Sequence, residues 1–141
     1  MKIYFSFSIT GGRAYQPVLK RMAEVMLAAG CEVPTAMNTE AEIDPLEGAR
    51  TPEEIFRRDL DWIDACDLMV AEVSTPSHGV GYEICYGLMM GKPVYAFYRQ
   101  GVTVSKMISG NSSERLHLMA YEQLAELQDQ LNCLIVNCRQ D

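Results

Sequence analysis

Residues 67–91 read DLMVAEVSTPSHGVGYEICYGLMMG, and the fold turns on how they are read. An apolar run from Leu68 to Val73 ends in a turn rich in Ser, Pro and Gly, and a second apolar run follows. The pattern predicts strand, loop and helix. Between His78 and Lys92 the one side chain with a full charge at neutral pH is Glu83, set among Val80, Tyr82, Ile84, Cys85, Tyr86 and Leu88. A carboxylate in such surroundings is costly unless well partnered. Two explanations stand side by side. Glu83 lies in the first turn of its helix, where the helix dipole favours a negative charge by roughly 0.3 to 1 kcal/mol. Or it faces a pocket, because open α/β sheets bind ligands where a strand's carboxyl end feeds a helix.

Outward from this centre, strands alternate with helices. Residues 2–9 alternate and are aromatic and β-branched, which predicts a strand; Tyr15 to Ala29 has helical apolar spacing and is stopped by Gly30. Cys31 to Thr35 predicts a short second strand, and the acid-rich residues 36–51 a long mobile loop, a candidate lid. A second helix opens at Thr51 as N-cap, with Pro52 at its first position and Glu53 and Glu54 in its first turn, and should end near Cys66. Further on, Val94 to Tyr98 and Leu116 to Tyr121 predict strands, residues 103–110 a short helix, and Glu122 to Leu131 a last helix. The expectation is one domain over residues 1–141: an α/β, doubly wound, five-stranded parallel sheet of Rossmann-like or flavodoxin-like type, ordered 2-1-3-4-5.

Composition narrows the function. The chain has 141 residues, 48% hydrophobic and 22% charged, the balance of a compact globular domain. A net charge of -7 excludes a binder of nucleic acid polymers, which needs clustered Lys and Arg. No apolar run is long enough to cross a bilayer, and Lys2 leads at once into a strand-like segment rather than a signal peptide, so the expected location is the cytoplasm. Cys31, Cys66, Cys85, Cys133 and Cys138 show no paired spacing and read as buried reduced thiols; with His78 and His117 they make no metal-ligand pattern. Neither a metal nor an organic cofactor is expected.

Helix 52–66 carries a second unusual acid. Asp61 has Arg57 and Arg58 in the preceding turn, which describes a solvated side. Asp59 instead has Ile55, Phe56, Trp62 and Ile63 three and four residues away, so it belongs to the stripe that packs on the sheet. It is either a perturbed carboxyl group or an acid at the stripe's edge satisfied by backbone or a Tyr hydroxyl. With the expected strand order, the ligand crevice opens between residues 8–13 and 74–83. Ser8, Thr10, Gly11, Gly12, Ser74, Thr75 and Ser77 supply hydroxyls and amides there that can cradle a phosphate beside Arg13. The GGR run has neither dinucleotide-fingerprint nor P-loop spacing. Two carboxyl groups flanking a pocket, with Tyr4 in the first strand in reach of one, suit cleavage of a glycosidic bond.

The segments YFSFSITGGR, RRDLDWIDACDLMVAEVSTPSHGVGYEICYG, KPVYAFYR and VSKMISG resemble the nucleoside 2-deoxyribosyltransferase superfamily, and within it the 2'-deoxynucleoside 5'-monophosphate N-glycosidases. The resemblance runs from Lys2 to about Leu131. It implies that Glu83 is the nucleophile forming a covalent glycosyl intermediate, that Tyr4 positions it and that Asp59 assists base departure. It implies that Ser8, Ser77 and Ser105 surround the 5'-phosphate, with Met107 in the same segment as Ser105, and that Gly79 and Gly81 shape the turn before the nucleophile. Ser105 would come from a partner subunit, which makes the protein at least a homodimer. Transferases of the superfamily have an aspartate and an asparagine at the places of Ser77 and Ser105; a carboxylate there repels a phosphate, whereas hydroxyls donate to it. The implied activity is hydrolysis of a (deoxy)nucleoside 5'-monophosphate to base and sugar 5-phosphate. The alternatives are a deoxyribosyltransferase and a nucleotide-binding module without turnover. Two positions depart from the family's glycosidases: Thr10 replaces a common arginine, leaving Arg13 or Lys106 to meet the phosphate, and Phe7 replaces a small glycine on the base side.

Overall fold

The structure, a computed structural model, describes residues 1–9, 13–39 and 49–140. Thr10, Gly11, Gly12, the side chain of Arg13 and most of the expected lid, residues 40–48, lie outside the described residues. Strands β1 (Ile3–Ser6), β2 (Leu68–Glu72), β3 (Val94–Arg99) and β4 (Leu116–Tyr121) form one parallel sheet in the order β1-β2-β3-β4. The helices are α1 (Gln16–Ala28), α2 (Pro52–Ala65), α3 (His78–Met89), the short α4 (Lys106–Ser109) and α5 (Leu124–Asn137).

Among the described residues the sheet has four strands, not five. The expected strand at 31–35 is reduced to one parallel bridge between Lys2 and Glu32. There Ile3 donates its N–H to the Glu32 carbonyl at 2.8 Å, and Glu32 donates to Met1 at 3.0 Å. Pairing stops because Pro34 has no N–H to give a ladder. The chain turns into a 3-10 segment, Pro34–Thr39, where the expected loop was to have begun. Thr35 Oγ1 takes over a ladder acceptor's role, receiving the Phe5 N–H at 3.2 Å.

The strand period of two divides the core into two layers. Ile3, Phe5, Leu68, Val70 and Phe97 pack with α1 and α5 on one face. Tyr4, Met69, Ala71, Val94 and Ala96 pack on the other with Ile63 of α2 and Val80 and Ile84 of α3. All strands run the same way, so their carboxyl ends open on one edge. Helix α5 runs six residues beyond the expected Leu131, because Leu127, Leu131, Leu134 and Ile135 keep one helical face buried. The short-helix expectation at 103–110 contracts to the single turn of α4, capped by Ser105.

Local chemistry sets the helix positions. Thr51 accepts the Glu54 N–H at 3.2 Å, while the Glu54 carboxylate accepts the Thr51 N–H at 2.7 Å. This reciprocal cap contributes about 1 kcal/mol and fixes where α2 starts. Gly30 ends α1 with φ +75, a left-handed conformation that glycine adopts without strain. Gly87 lets α3 lie close against β2: a Cβ there would stand 2.1 Å from the Met69 sulfur. Two cysteines depart from expectation, since Cys85 and Cys133 are exposed; all five are free thiols. Among the described residues no helix is long and apolar enough to cross a membrane.

Candidate active site

Tyr4 and Ser6 are two residues apart in β1 and therefore face the same side of the sheet, toward α2 and α3. Glu83 comes down from α3 to meet them. Ser6 Oγ donates to Glu83 Oε2 at 2.5 Å, and the Tyr4 hydroxyl donates to the same carboxylate. Burial pushes the Glu83 carboxyl above its ordinary range; the two hydroxyl donors pull it back, and the charge of Asp59 adds to the rise. Tyr4 is pushed strongly upward by burial and by the charges of Glu83 and Asp59, so its phenol keeps its proton and remains a donor. Among the described residues, the result is a carboxylate with two fixed donors and one like-charged neighbour.

The dipole explanation for Glu83 fails. Helix α3 begins at His78 after the N-cap Ser77, and its first turn holds no acidic residue. Glu83 sits in the second turn, where the end effect has faded. Gly79 and Gly81 likewise lie inside α3, not in a turn before it. A Cβ at Gly81 would meet nothing within 4 Å, and one at Gly79 only the Ser77 hydroxyl at 3.8 Å. Among the described residues, packing requires neither glycine.

Asp59 reaches the same place from α2. It shares with Glu83 a pocket of about 260 Å³ walled by Phe56, Leu60, Gly79 and Tyr82. A smaller recess beside it joins both carboxyl groups to Tyr4, Ser6, Phe7, Thr35 and Asn38. Phe56 and Tyr82, each half exposed, set their rings 6.0 Å apart at the pocket's apolar side. The expected stripe is thus only partly buried: Ile63 is in the core while Phe56 borders the opening.

Arg58 does not lie on a solvated face as expected. Its Nε and Nη2 donate to Asp59 Oδ1 at 2.9 and 2.8 Å, and its guanidinium lies 4.4 Å from the Trp62 ring centroid. The side chain is 15% exposed. The neighbouring Arg57 shows the contrast, pairing with Glu53 in solvent at 72% exposure.

A separate cleft of about 490 Å³ gathers Thr75, Ser77, His78, Gly81, Cys85, Thr103, Ser105 and Met107. Ser77 and Ser105, which the sequence paired, therefore line one cavity. Ser77 accepts the Val80 N–H at 3.4 Å as the cap of α3, and Ser105 accepts the Met107 N–H at 3.3 Å. Met107 projects into solvent at 85% exposure. Ser8 follows β1, half-buried.

Two residues at the site, Ser6 and Asn38, escape the sequence, as does a buried acid outside it, Glu72. Ser6 was legible in principle, as the same-face neighbour of Tyr4 two residues on. Asn38 falls in the expected loop, and the 3-10 segment brings it to the recess. Glu72 lies within the apolar run 68–73, yet it is a buried acid on the opposite sheet face from Glu83. Ser74 Oγ makes a short hydrogen bond to it, Ser74 N–H donates at 3.2 Å and Tyr121 at 3.0 Å. Burial raises its carboxyl, which these donors partly oppose.

The profile of the family described as nucleoside 2-deoxyribosyltransferase matches residues 3–123. A provisionally named 2'-deoxynucleoside 5'-phosphate N-hydrolase 1 of Methanosarcina barkeri (strain Fusaro / DSM 804) is 38% identical over 126 residues, covering 89% of this chain and 79% of its own. The 5-hydroxymethyl-dUMP N-hydrolase of Rattus norvegicus is 38% identical over 112 residues, covering 77% of this chain and 68% of its own. Among solved structures, the CMP N-glycosidase BcmB of Clostridium botulinum shares the fold with a TM-score of 0.74 at 19% identity, over 95% of this chain and 99% of that one. The chain belongs to the nucleoside 2-deoxyribosyltransferase family.

Proposed function

We propose that the protein is a hydrolase that cleaves the N-glycosidic bond of (deoxy)nucleoside 5'-monophosphates to free base and (deoxy)ribose 5-phosphate. The observation that carries this reading is the meeting of Glu83 and Asp59 in one pocket, with Glu83 held by donors from Ser6 and Tyr4. The relatives named as nucleotide N-hydrolases support it.

Ionised Glu83 attacks C1' as the bond from C1' to the base nitrogen breaks, and the bonding pair leaves with the base. Asp59, at the same pocket, meets the departing base. Water then attacks C1' of the glycosyl ester: its hydroxyl stays on the sugar, its proton ends on the base, and Glu83 returns as a carboxylate. The fixed hydroxyls of Ser6 and Tyr4 hold the attacking oxygens so that little reorganisation is needed. The half-exposed rings of Phe56 and Tyr82 give the base an apolar wall. Ser77, Ser105 and the amino end of α3 receive the phosphate, together with Ser8, Thr10, Gly11, Gly12 and Arg13. A carboxylate at the place of Ser77 would repel that anion, which favours the phosphorylated substrate over a free nucleoside. Residues 1–141 act as one domain in the cytoplasm, as a homodimer in which a second copy lends its Ser105 to the cleft that the chain's own Ser105 also lines.

Rapid denaturing quench during turnover, followed by peptide mass analysis, tests the covalent step. A sugar-phosphate adduct on the peptide containing Glu83, absent from Glu83→Gln, is the expected result. No adduct at any quench time, while base is still released, would remove the covalent route. An added acceptor base distinguishes the transferase, which would form a new nucleotide or nucleoside in place of free sugar phosphate.

A further inference from the structure

We propose that Arg58 is a positioning residue for this reaction: its grip on a single oxygen fixes Asp59 as a carboxylate in the pocket shared with Glu83 and offsets the charge that Asp59 places on Glu83. The inference rests on the N-glycosidase reading for its link to turnover, but its structural half stands apart from it.

The geometry is specific. Two donors of one guanidinium, Nε and Nη2, converge on Asp59 Oδ1 at 2.9 and 2.8 Å. Arginine and aspartate are adjacent in sequence, an arrangement that on a helix usually sends the two side chains apart. Here Trp62, one turn further along α2, lies under the guanidinium at 4.4 Å and holds it against its neighbour. With side chains only 15% and 19% exposed, the pair is shielded from the screening that makes surface ion pairs weak. Its charge reaches the site, since Arg58 opposes the rise that Glu83 and Asp59 impose on Tyr4.

Without Arg58, two carboxylates would share a small pocket and one would hold its proton to higher pH. When that proton resides on Glu83, the nucleophile is unavailable. Among the described residues, the ionisable groups facing Glu83 are Tyr4 from β1 and Asp59, with Arg58 behind it, from α2. The 3-10 segment brings Thr35 and Asn38, which do not titrate. On α3 itself, Tyr86 is turned to Asp64 at 2.9 Å.

The test is a carboxyl carbon-13 NMR titration of the glutamates and aspartates, read on wild-type protein, Arg58→Gln and Arg58→Lys, beside kcat and KM across pH. In Arg58→Gln the Glu83–Asp59 pair takes up its first proton roughly one pH unit higher than in wild type, and the acid limb of kcat/KM moves with it. Arg58→Lys keeps the charge without the two-donor grip, so the titration stays near wild type while kcat falls about tenfold at unchanged KM. In an Asp59→Asn background, Arg58→Gln moves the Glu83 titration much less. An unmoved titration in Arg58→Gln, or a wild-type kcat in Arg58→Lys, overturns the proposal. If Arg58→Gln does not fold, the Arg58→Lys arm decides. Absence of turnover in wild type would refute the N-glycosidase reading while the NMR titration still decides the charge coupling.

Discussion

Ser6, the last residue of β1, donates its hydroxyl to Glu83 in the second turn of α3, a hydrogen bond that spans 77 positions of sequence. It ties the candidate nucleophile to the sheet rather than to its own helix. Removing it in Ser6→Ala leaves a buried carboxylate with one donor fewer, and a hydrogen bond to a charged group contributes roughly 1.5 to 3 kcal/mol. We expect kcat to fall by about 10- to 100-fold with little change in KM. Because Ser6 pulls the Glu83 carboxyl down, its loss lifts that group further, and the acid limb of the kcat/KM profile moves to higher pH. An unchanged limb with full kcat would show that Ser6 is mere packing.

Glu72 provides a pH-dependent stability term on the other face of the sheet. Its folded-state carboxyl is raised by burial above the ordinary value of 4.5, so the folded protein binds that proton more tightly than the unfolded chain. The contribution to stability is therefore fully present below the unfolded value and is lost as pH rises through the folded one. Thermal unfolding of wild type and Glu72→Gln should show a Tm difference that shifts in favour of the variant as pH rises from about 4 toward neutrality. A pH-independent difference would mean that Glu72 titrates alike in both states.

Gly87 lies where α3 packs tightly against Met69 of β2. In Gly87→Ala the new methyl meets the buried Met69 sulfur, and overpacking of this kind costs about 1 to 3 kcal/mol. Since Glu83 lies one turn earlier on the same helix, activity should fall along with stability. Denaturant unfolding beside the base-release assay measures both.

The cap of α2 bears on the site because α2 carries Arg58 and Asp59. Thr51→Ala removes the acceptor for the Glu54 N–H and should cost about 1 kcal/mol. Equilibrium unfolding reports the loss, and a change beyond about 2 kcal/mol would mean that Thr51 supports more than its helix end.

Much of this arrangement was legible in the residues. Thr51, Pro52 and Glu54 state the start of α2 in local chemistry, and Glu83 announced itself as a lone charge in an apolar helix. What escaped depended on long-range partners. Glu72 reads as one acid at the end of an apolar strand until Tyr121, 49 positions away, is brought to it. Arg58 and Arg57 look alike in a helical pattern, whereas the structure separates the buried cation, held to Asp59 and against the Trp62 ring, from the solvated one. The expected edge strand failed at a single residue, Pro34, whose missing N–H ends the pairing after one bridge. Ser6 could have been found by the strand period that placed Tyr4.

The central claim is that Glu83 drives cleavage of a nucleotide's N-glycosidic bond, and chromatography of free base tests it most directly. The protein and its Glu83→Ala variant would be incubated with each common ribo- and deoxyribonucleoside 5'-monophosphate and with the unphosphorylated nucleosides. The account predicts base from phosphorylated substrates and a loss of about 10³-fold or more in the variant. Release that survives the loss of Glu83, or no release from any of these compounds, would contradict it.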